Sequence, residues 1–599
     1  MKTGMDLADL RARAQRWIAD DPDPATRAEL HALLAHPDPA STDLAERFAG
    51  ALEFGTAGLR GILGAGPNRM NRAVVARATW GLARELLESV PGAAERGVVV
   101  GRDARRMSRE FAEDVAAILA GAGLRVVLFR DPVPTPLVGF TVKRLRAAAG
   151  VVVTASHNPP EYNGYKVYWE DAAQIVPPVD ARIAASIDRA PSARVVSRPP
   201  LEVLRARGMV TEAAADAERA YLDAVRTLAV HPDKGDRSLR IVYTPLHGVG
   251  DALVHKALAE ARFTSVTSVP EQQKPDGAFP TVAFPNPEEP GAMDRAFALA
   301  RTTEADLILA NDPDADRLAV AVRAPGHLSG DGGRDYRQLT GNEVGVLVGH
   351  YLLTERPVAK PRVVAASIVS SPLLGRIASD LGVRYEETLT GFKWISHRAL
   401  ATGREGNEFV FGYEEAQGYC VGDVVYDKDG VAAAVLVAEI AAVLRERGQT
   451  PLDALDAIAR RWGLYTSSQV SVTRKGAVGV VAIRSMMTAL RTAPPASLGG
   501  DEVVAVADYE TGVRWDRRLG TRAELTLPKS NVLSLELASG SRVIARPSGT
   551  EPKAKFYFDV RETVAPGEPV AAAKARAEAV MKRLADAFAV EVSGALASP

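Results

Sequence analysis

The sequence predicts an α/β protein with three similar mixed α/β domains in series and a smaller C-terminal α+β domain. The chain has 599 residues, whereas one domain typically contains roughly 100–200 residues. From residue 72 onwards, helical patterns alternate with short Val- and Leu-rich segments, and this order is repeated three times. Such alternation is typical of domains with a mostly parallel sheet. After Trp462 the pattern changes to several strands and one long helix.

The first half of the chain contains an extension and two of these domains. Charges at helical spacing, broken by Asp-Pro pairs, predict an N-terminal helical extension over 1–45 that packs on the first domain. Domain I is expected at 46–205, with helices at 73–87 and 109–122 and strands at 97–100, 125–129 and 149–153. Domain II is expected at 206–330, with strands at 240–243, 265–269 and 306–310 and a helix near 251–261.

The second half contains the remaining two domains. Domain III is expected at 331–465, with a helix near 343–353, strands at 361–366 and 383–388, and a helix after residue 429. Domain IV is expected at 466–599, with helices at 480–490 and 570–588 and strands at 503–506, 532–537, 542–545 and 555–560. The boundaries near 205, 330 and 465 are placed to within about ten residues, since element limits are the weakest feature of such predictions.

Composition excludes several classes of partner and compartment. The 73 basic and 74 acidic residues give a net charge of -1, so there is no bulk attraction to nucleic acid or to an anionic membrane. The single cysteine, Cys420, excludes an intramolecular disulfide, and the N-terminal residues lack the apolar core of a signal peptide. No segment approaches the roughly 20 apolar residues of a membrane helix. We therefore expect a soluble cytoplasmic protein.

A candidate nucleophile follows the strand predicted at 149–153. The segment Thr-Ala-Ser-His-Asn-Pro-Pro presents Ser156 on a rigid loop at the end of a strand, where open α/β sheets place their ligands. A plain turn, in which Ser156 and Asn158 bond backbone groups, is the alternative. A serine hydrolase is excluded because its Gly-x-Ser-x-Gly motif requires flanking glycines, which Ser156 lacks.

A second loop carries three carboxylates and follows the strand predicted at 306–310. Asp312, Asp314 and Asp316 are spaced two residues apart, so in an extended loop they can converge on one hard cation such as Mg²⁺. A calcium loop of the EF-hand type needs Gly and Glu where this sequence has Arg317 and Arg323. The alternative is a solvated acidic turn, although three carboxylates this close repel one another unless a cation or arginines offset them.

Two further segments have the composition of phosphate-binding loops. Residues 53–61 combine small residues with Arg60, and residues 546–553 combine Arg546 with the hydroxyls and glycine of Ser548, Gly549 and Thr550. Backbone amides and arginine are suited to gripping phosphate. As isolated strings, both also fit Gly/Pro turns.

Two more segments carry groups that bind sugar hydroxyls. Residues 388–394, with Lys393, and residues 411–419, with Glu414, are expected to be loops. Each also fits a plain surface loop. A nicotinamide enzyme is disfavoured, because Gly248-Val249-Gly250 lacks the third glycine of the dinucleotide motif.

Taken together and in this order, the five loops resemble the α-D-phosphohexomutase superfamily, which includes phosphoglucomutases and phosphomannomutases. The match runs from about residue 54 to residue 556. The N-terminal extension, the string at 54–58 and the loop with Ala416 look most similar to the phosphoglucomutase/phosphopentomutase branch. The resemblance implies four domains around a central active-site cleft, with one loop contributed by each domain.

The resemblance also implies a role for each candidate residue. Ser156 would be the phosphoserine and a metal ligand, and Lys166 would be the general acid/base, with His157 orienting its neighbour. Arg60 and Arg317 would neutralise the moving phosphoryl group. The metal would be held by Asp312, Asp314 and Asp316, and the substrate by Arg317, Lys393, Glu414, Arg546, Ser548, Gly549 and Thr550.

The implied activity is a mutase that interconverts α-D-glucose 1-phosphate and glucose 6-phosphate. It would use two phosphoryl transfers, Mg²⁺, and a sugar 1,6-bisphosphate as activator and intermediate. Phosphomannomutase and phosphopentomutase activities are alternatives, because Ala416 replaces a serine found in many hexose mutases. A metal-dependent sugar phosphatase and a non-catalytic sugar-phosphate-binding protein are the other classes. The expected partner is a small sugar phosphate, and the expected state is a monomer or a small homo-oligomer.

Overall fold

The computed structural model confirms the α/β fold class. It describes residues 7–36, 42–53, 58–214, 216–324, 336–473, 476–547 and 553–597. The chain forms two compact units. Unit 1 comprises residues 1–340, 391–411 and 416–446, and unit 2 comprises residues 341–390, 412–415 and 447–599. No helix in the described ranges is long and apolar enough to cross a membrane.

The N-terminal segment of unit 1 is helical, with α1 at Leu7–Asp20, α2 at Pro24–Ala35 and α3 at Leu44–Arg47. The break between the first two helices is encoded locally, because Asp23 caps α2 by accepting a hydrogen bond from Ala25 N at 2.9 Å and is followed by proline. The three helices share a small apolar core that includes Leu10, Leu30 and Phe48.

The first sheet of unit 1 has six strands in the order β1-β5-β4-β2-β3-β6. Strands β4, β2, β3 and β6 are parallel, and β5 and β1 complete the sheet with antiparallel pairing. The first sheet extends past the predicted boundary near residue 205, because β6 lies beyond that boundary and pairs with β3. The elements are β1 (Leu59–Ile62), α4 (Arg72–Ser89), α5 (Ala93–Arg96), β2 (Val98–Arg102), α6 (Ser108–Gly121), β3 (Val126–Leu128), α7 (Thr135–Leu145), β4 (Ala149–Val153), β5 (Tyr162–Tyr168), α8 (Val179–Asp188), α9 (Leu201–Ala206) and β6 (Val210–Glu212).

The second sheet of unit 1 has five strands in the order β11-β10-β9-β7-β8. Strands β9, β7 and β8 are parallel, and β10 and β11 are antiparallel additions. The four residues of β9 are all buried, as expected for a central parallel strand. The elements are α10 (Asp216–Arg226), β7 (Ile241–Thr244), α11 (Asp251–Glu260), β8 (Val266–Ser268), α12 (Asp294–Thr303), β9 (Leu307–Ala310), β10 (Ala319–Arg323) and β11 (Tyr336–Gln338).

The third α/β segment corrects two predictions. Residues 388–394 are not wholly a loop, because Phe392 begins α15 and Lys393 lies in its first turn. Residues 411–419 contain the end of β14 and the start of β15, since Phe411 and Tyr413 alternate with smaller residues in a buried strand. The elements are α13 (Gly341–Glu355), β12 (Arg362–Ser367), α14 (Leu373–Asp380), β13 (Arg384–Thr388), α15 (Phe392–Arg404), β14 (Glu408–Glu414), β15 (Gly418–Val421), α16 (Gly430–Glu446) and α17 (Pro451–Trp462).

The C-terminal part of unit 2 is the predicted α+β domain. Its sheet is antiparallel, in the order β16-β23-β22-β21-β18-β19-β20, and β17 pairs with β18. The apolar faces of α18 and α19 pack on this sheet around Met486, Phe556 and Phe588. The elements are β16 (Leu464–Thr473), α18 (Gly476–Thr492), β17 (Ser497–Leu498), β18 (Asp501–Asp508), β19 (Val513–Asp516), β20 (Thr521–Glu524), β21 (Leu533–Leu537), β22 (Arg542–Pro547), β23 (Lys553–Glu562) and α19 (Val570–Ala597).

Candidate active site

Ser156 lies in a tight loop between β4 and β5 of unit 1. Its backbone is in the left-handed region, with φ of 51°, a conformation that costs a non-glycine residue free energy and is concentrated at functional sites. Its N–H donates to Thr154 Oγ1 at 2.8 Å, which stabilises the turn. The side chain is buried, and its Oγ donates to Asp312 Oδ2 at 2.6 Å. The serine hydroxyl therefore points at the acidic loop.

The acidic loop follows the buried strand β9, which explains its position at the end of a sheet. Asp312, Asp314 and Asp316 are all fully buried, and one carboxylate oxygen from each lies within 4.8 Å of the others. Ala315 turns the loop with φ of 55°. Asp312 Oδ1 accepts the backbone N–H of Arg317 at 3.0 Å. The structure thus brings together the three carboxylates that their spacing predicted would converge.

The carboxylates fit a hard divalent cation. Within the described residues, Asp314 Oδ1 and Asp316 Oδ1 are buried without a hydrogen-bond partner. A buried anionic oxygen with no partner is costly, and a cation offsets that cost. Mg²⁺ takes oxygen ligands of this kind and retains positions for phosphate oxygens.

Two buried lysines neutralise part of the negative charge. Lys166, on β5, donates to Asp314 Oδ2 at 2.9 Å and to Asp316 Oδ2 at 2.7 Å. Lys428 Nζ lies 3.1 Å from Asp316 Oδ2 and 3.5 Å from Asp427 Oδ1. Lys428 was not predicted as a site residue. The sequence signal that could have found it is the charged triplet at 427–429, which stands immediately before an apolar helix. Charged side chains next to a buried helix are expected to be paired with opposite charges.

The charges of the acidic loop and of the two lysines raise the pKa of some of these groups and lower the pKa of others. Burial acts to lower the pKa of Lys166, but Asp314 and Asp316 outweigh it and raise the pKa, so the ammonium stays protonated. Burial and the two neighbouring carboxylates raise the pKa of Asp312 well above its usual range. For Asp316, burial acts to raise the pKa, but the charges of Lys166 and Lys428 reverse the effect and lower it.

Three further predicted residues lie in unit 1 with Ser156. Arg60, on β1, donates from Nη1 to Asn158 Oδ1 at 2.8 Å; burial lowers its pKa to about 10, so it remains cationic at neutral pH. His157 Nδ1 lies 3.2 Å from Ser156 Oγ. Burial and the charges of Arg317 and Arg60 hold the pKa of His157 well below its usual range, so its ring is neutral. Arg317 donates to the carbonyl of Ala416 at 3.0 Å.

The remaining predicted residues lie on other elements. Lys393 is in unit 1 on α15, where burial lowers its pKa. Glu414 ends β14 and Arg546 lies near the end of β22, both in unit 2. Ser548, Gly549 and Thr550 lie outside the described residues, as do residues 54–57 of the first predicted phosphate loop.

Comparison with protein families identifies the family of this chain. Three successive family models match the chain: phosphoglucomutase/phosphomannomutase α/β/α domain I at 51–194, domain II at 219–326 and domain III at 340–461. The chain belongs to the α-D-phosphohexomutase superfamily. Members of this family are isomerases that transfer phosphate intramolecularly, and the chain is an enzyme of that type.

Individual relatives carry three different substrate names. A Haemophilus influenzae protein named probable phosphomannomutase is 40% identical over 496 residues, which cover 82% of this chain and 93% of that protein. The phosphopentomutase of Mus musculus is 36% identical over 587 residues, covering 93% of this chain and 91% of the relative. A phosphoglucomutase of Staphylococcus epidermidis is 35% identical over 509 residues, covering 85% and 90%.

Proposed function

We propose that this phosphohexomutase interconverts α-D-glucose 1-phosphate and glucose 6-phosphate through a phosphorylated Ser156, with glucose 1,6-bisphosphate as intermediate and activator. The observation that carries the proposal is the 2.6 Å contact between Ser156 Oγ and Asp312. It sets a buried, strained serine against the three carboxylates that fit a divalent cation. This is the arrangement needed for phosphoryl transfer to and from a serine.

Each turnover consists of two phosphoryl transfers. Phosphorylated Ser156 first gives its phosphoryl group to the free hydroxyl of the sugar monophosphate, which produces the bisphosphate and a free serine. After the bisphosphate turns over, its other phosphoryl group returns to Ser156 and the isomeric monophosphate leaves. Asp312, Asp314 and Asp316, together with Ser156, would hold Mg²⁺, which when bound stabilises negative charge on the transferring oxygens.

The neighbouring side chains have complementary roles in these transfers. Lys166 is assigned from the family pattern as the general acid/base for the sugar hydroxyl, and its ammonium, held protonated beside the acidic loop, is in the form that donates a proton. Arg60 and Arg317 supply fixed positive charge for the phosphoryl oxygens. His157, which is neutral and 3.2 Å from Ser156 Oγ, orients the serine hydroxyl.

The substrate residues are assigned from the family pattern. Lys393 would sense which way round the sugar is bound, and Glu414 would accept hydrogen bonds from sugar hydroxyls. The non-reacting phosphate would be gripped by Arg546, Ser548, Gly549 and Thr550. Arginine suits that role because its planar guanidinium binds phosphate with two parallel hydrogen bonds.

A pentose phosphate is the second candidate substrate. Ala416 supports it, because a methyl group stands where many hexose mutases have a serine hydroxyl able to bond the sugar. The phosphopentomutase of Mus musculus, which matches 93% of this chain, also supports it. Mannose phosphate is the third, in line with the name of the Haemophilus influenzae relative.

The decisive measurement compares kcat/KM on the 1-phosphates of glucose, mannose, ribose and deoxyribose, with Mg²⁺ and the bisphosphate present. We expect the highest value for glucose 1-phosphate, and a higher value for ribose 1-phosphate would replace glucose by a pentose. Release of inorganic phosphate without glucose 6-phosphate would indicate a phosphatase instead.

Ser156→Ala should fold and lose mutase activity, so full turnover in that variant would refute the role of Ser156.

The substitution Ala416→Ser tests the contribution of the loop to sugar choice. Adding a hydroxyl should raise the ratio of hexose to pentose kcat/KM by about fivefold, since one added hydrogen bond is worth about 1 kcal/mol. Ala416→Gly is the matched control, because it changes the methyl group without adding a hydroxyl. An equal ratio in all three proteins would show that this position does not select the sugar.

A further inference from the structure

A buried arginine outside the predicted set grips the loop that carries Ser156. Arg105 lies between β2 and α6, and its side chain is 1% exposed. Its Nη1 donates to the carbonyls of Pro159 at 2.7 Å and Tyr162 at 3.2 Å. Its Nη2 donates to the carbonyls of Ser156 at 2.6 Å and Asn158. One guanidinium thus binds four backbone carbonyls within residues 156–162, the end of the Ser156 loop and the first residue of β5.

The guanidinium is itself held in place by Asp103. The carboxylate lies 3.3 Å from Arg105 Nε. Asp103 Oδ1 also accepts the backbone N–H of Arg105 at 2.9 Å and the hydroxyl of Ser108 at 2.6 Å. A buried guanidinium that is ion-paired at Nε and donates four hydrogen bonds through its two Nη groups is restricted to one orientation. Arg105 is therefore a rigid anchor for the loop.

The Ser156 loop needs such an anchor. Ser156 has a φ of 51°, which is unfavourable for a residue with a side chain. Pro159 and Pro160 lack the N–H groups that would tie this part of the loop by backbone hydrogen bonds. By fixing the carbonyls of Ser156 and Asn158, the guanidinium sets the peptide planes from which both side chains project. Those side chains contact Asp312 and Arg60, respectively.

The other face of Arg105 contacts a segment joined to the acidic loop. The guanidinium lies 4.8 Å from the ring centre of Phe279. A Cβ at Gly277 would lie 2.8 Å from Arg105 Cα, so only glycine permits this approach. The segment is tied by Asp276 N to the carbonyl of His247 at 2.9 Å.

The connection continues to the acidic loop through the residues after His247. Val249 N donates to the carbonyl of Pro313, between two of the aspartates, at 2.9 Å. A Cβ at Gly248 would lie 2.4 Å from Pro313 Cα. A continuous set of contacts therefore runs from the Ser156 loop through Arg105 to the residues that carry the carboxylates.

We propose that Arg105 is a positioning residue for phosphoryl transfer, which holds Ser156 in register with the aspartate loop without touching the substrate. The inference rests on the proposed role of Ser156 as phosphoryl carrier. Because phosphoryl transfer depends on alignment of the attacking and leaving oxygens, loosening this anchor should slow transfer in both directions and leave substrate affinity unchanged.

The test replaces Arg105 by lysine, which keeps the charge but cannot span four carbonyls with one planar fork. For Arg105→Lys we expect kcat to fall about 100-fold with KM within about threefold of the native value, since a displacement of about 1 Å can cost that much. Intact-mass measurement should show the same loss in the rate at which glucose 1,6-bisphosphate phosphorylates the protein in a single turnover. A native phosphorylation rate, or a raised KM with native kcat, would overturn the proposal.

The matched control is Arg102→Lys. Arg102 ends β2, and its guanidinium donates to the carbonyls of Asp103 and Arg130 rather than to the Ser156 loop. Its kcat should stay within about twofold of the native value, a loss far below that expected for Arg105→Lys. An equal loss in both variants would show that the loss at Arg105 is not specific to its grip on the loop, and would overturn the proposal.

A second variant decides the case if Arg105→Lys does not fold. Phe279→Leu keeps an apolar contact but removes the ring under the guanidinium, and it should lower kcat about fivefold at unchanged KM. Native kcat in that variant would overturn the proposal.

Ser156→Ala, measured in parallel, separates the role of Arg105 from the role of Ser156. If Ser156→Ala is inactive while Arg105→Lys is fully active, only the role of Arg105 fails. Full activity of Ser156→Ala would refute Ser156 as the phosphoryl carrier.

Discussion

Ser156 and the three aspartates illustrate how much is decided at the scale of single residues. The carboxylates of Asp312, Asp314 and Asp316 are buried within 4.8 Å of one another, although like charges this close repel strongly. Lys166 offsets two of the three. In the described structure, Asp314 Oδ1 and Asp316 Oδ1 are buried without a hydrogen-bond partner, and both are suited to a cation. A bound divalent cation would therefore offset the negative charge that Lys166 leaves unbalanced.

A prediction at this scale concerns metal binding by Asp314. Mg²⁺ should raise the midpoint of thermal unfolding of the native protein, because a ligand that binds only the folded state stabilises it. In Asp314→Asn the rise at the same Mg²⁺ concentration should fall to less than about half, since an amide replaces an anionic ligand. Differential scanning fluorimetry measures this without any assay of activity.

The control for that experiment is a buried aspartate away from the acidic loop. Asp559, in unit 2, is 3% exposed and binds Arg542 and Ser467. Asp559→Asn should lower the unfolding midpoint but keep the native response to Mg²⁺. An undiminished response in Asp314→Asn would argue against this residue as a metal ligand.

At the scale of elements, the start of α16 combines helix capping with burial of a charge. Asp429 precedes the helix and accepts the N–H groups of Val431 at 3.1 Å and Ala432 at 2.9 Å, as a capping residue does. It also accepts the hydroxyl of Tyr221 at 2.7 Å. Burial raises the pKa of its carboxyl to about 6. The helix that follows is apolar on all sides and buried along nearly its whole length.

The raised pKa predicts a pH-dependent stability. Because the pKa is higher in the folded chain than in the unfolded chain, the protonated carboxyl favours folding. This contribution is fully present below about pH 4 and is lost as the pH rises through about 6. Asp429→Asn keeps the cap but does not titrate. Its free energy of unfolding relative to the native protein should therefore rise by about 2 kcal/mol between pH 4 and pH 7.

Urea unfolding at a series of pH values measures this difference, and the change of other groups cancels in the comparison. Asp429→Ala should destabilise at every pH, by about 1–3 kcal/mol, since it removes the cap and leaves the Tyr221 hydroxyl without its partner. A difference between Asn and native proteins that is constant with pH would contradict the raised pKa.

At the scale of the whole molecule, the chain divides into two units with separate cores. The reactivity of the single cysteine can be used to measure the opening of unit 1. Cys420 lies on β15 of unit 1 and is 1% exposed, and burial raises the pKa of its thiol. The thiolate, which is the reactive form, is therefore both scarce and inaccessible in the folded protein.

We expect thiol-reactive reagents to modify Cys420 only after unit 1 opens. Labelling in native buffer should be at least about 1,000-fold slower than in 6 M guanidinium, in line with the small unfolded fraction of a stable domain. The time course is followed by mass spectrometry. Fast labelling of the native protein would show that β15 opens locally, independently of the unit.

Secondary structure was predicted best where local pattern and burial agree. The strand at 149–153 coincides with β4, and the helix at 73–87 lies within α4. The elements missed are those whose pattern is set by distant partners. No strand was predicted over β5, yet it pairs with both β4 and β1, and it places Lys166. In the same way, residues 411–419 were predicted to be a loop, although they contain the end of β14 and the start of β15.

The sequence alone was enough to predict the fold class and the family, both of which are confirmed, and to propose the chemistry of Ser156 and the aspartates, because strand-end loops and their spacing are local properties of the chain. The electrostatics of the site became visible only in the folded structure. Lys428 is separated from Asp316 by more than a hundred residues, and Arg105 from Ser156 by about fifty, yet both pairs are in contact. Such contacts follow from how the strands pair, and no short stretch of sequence contains that information.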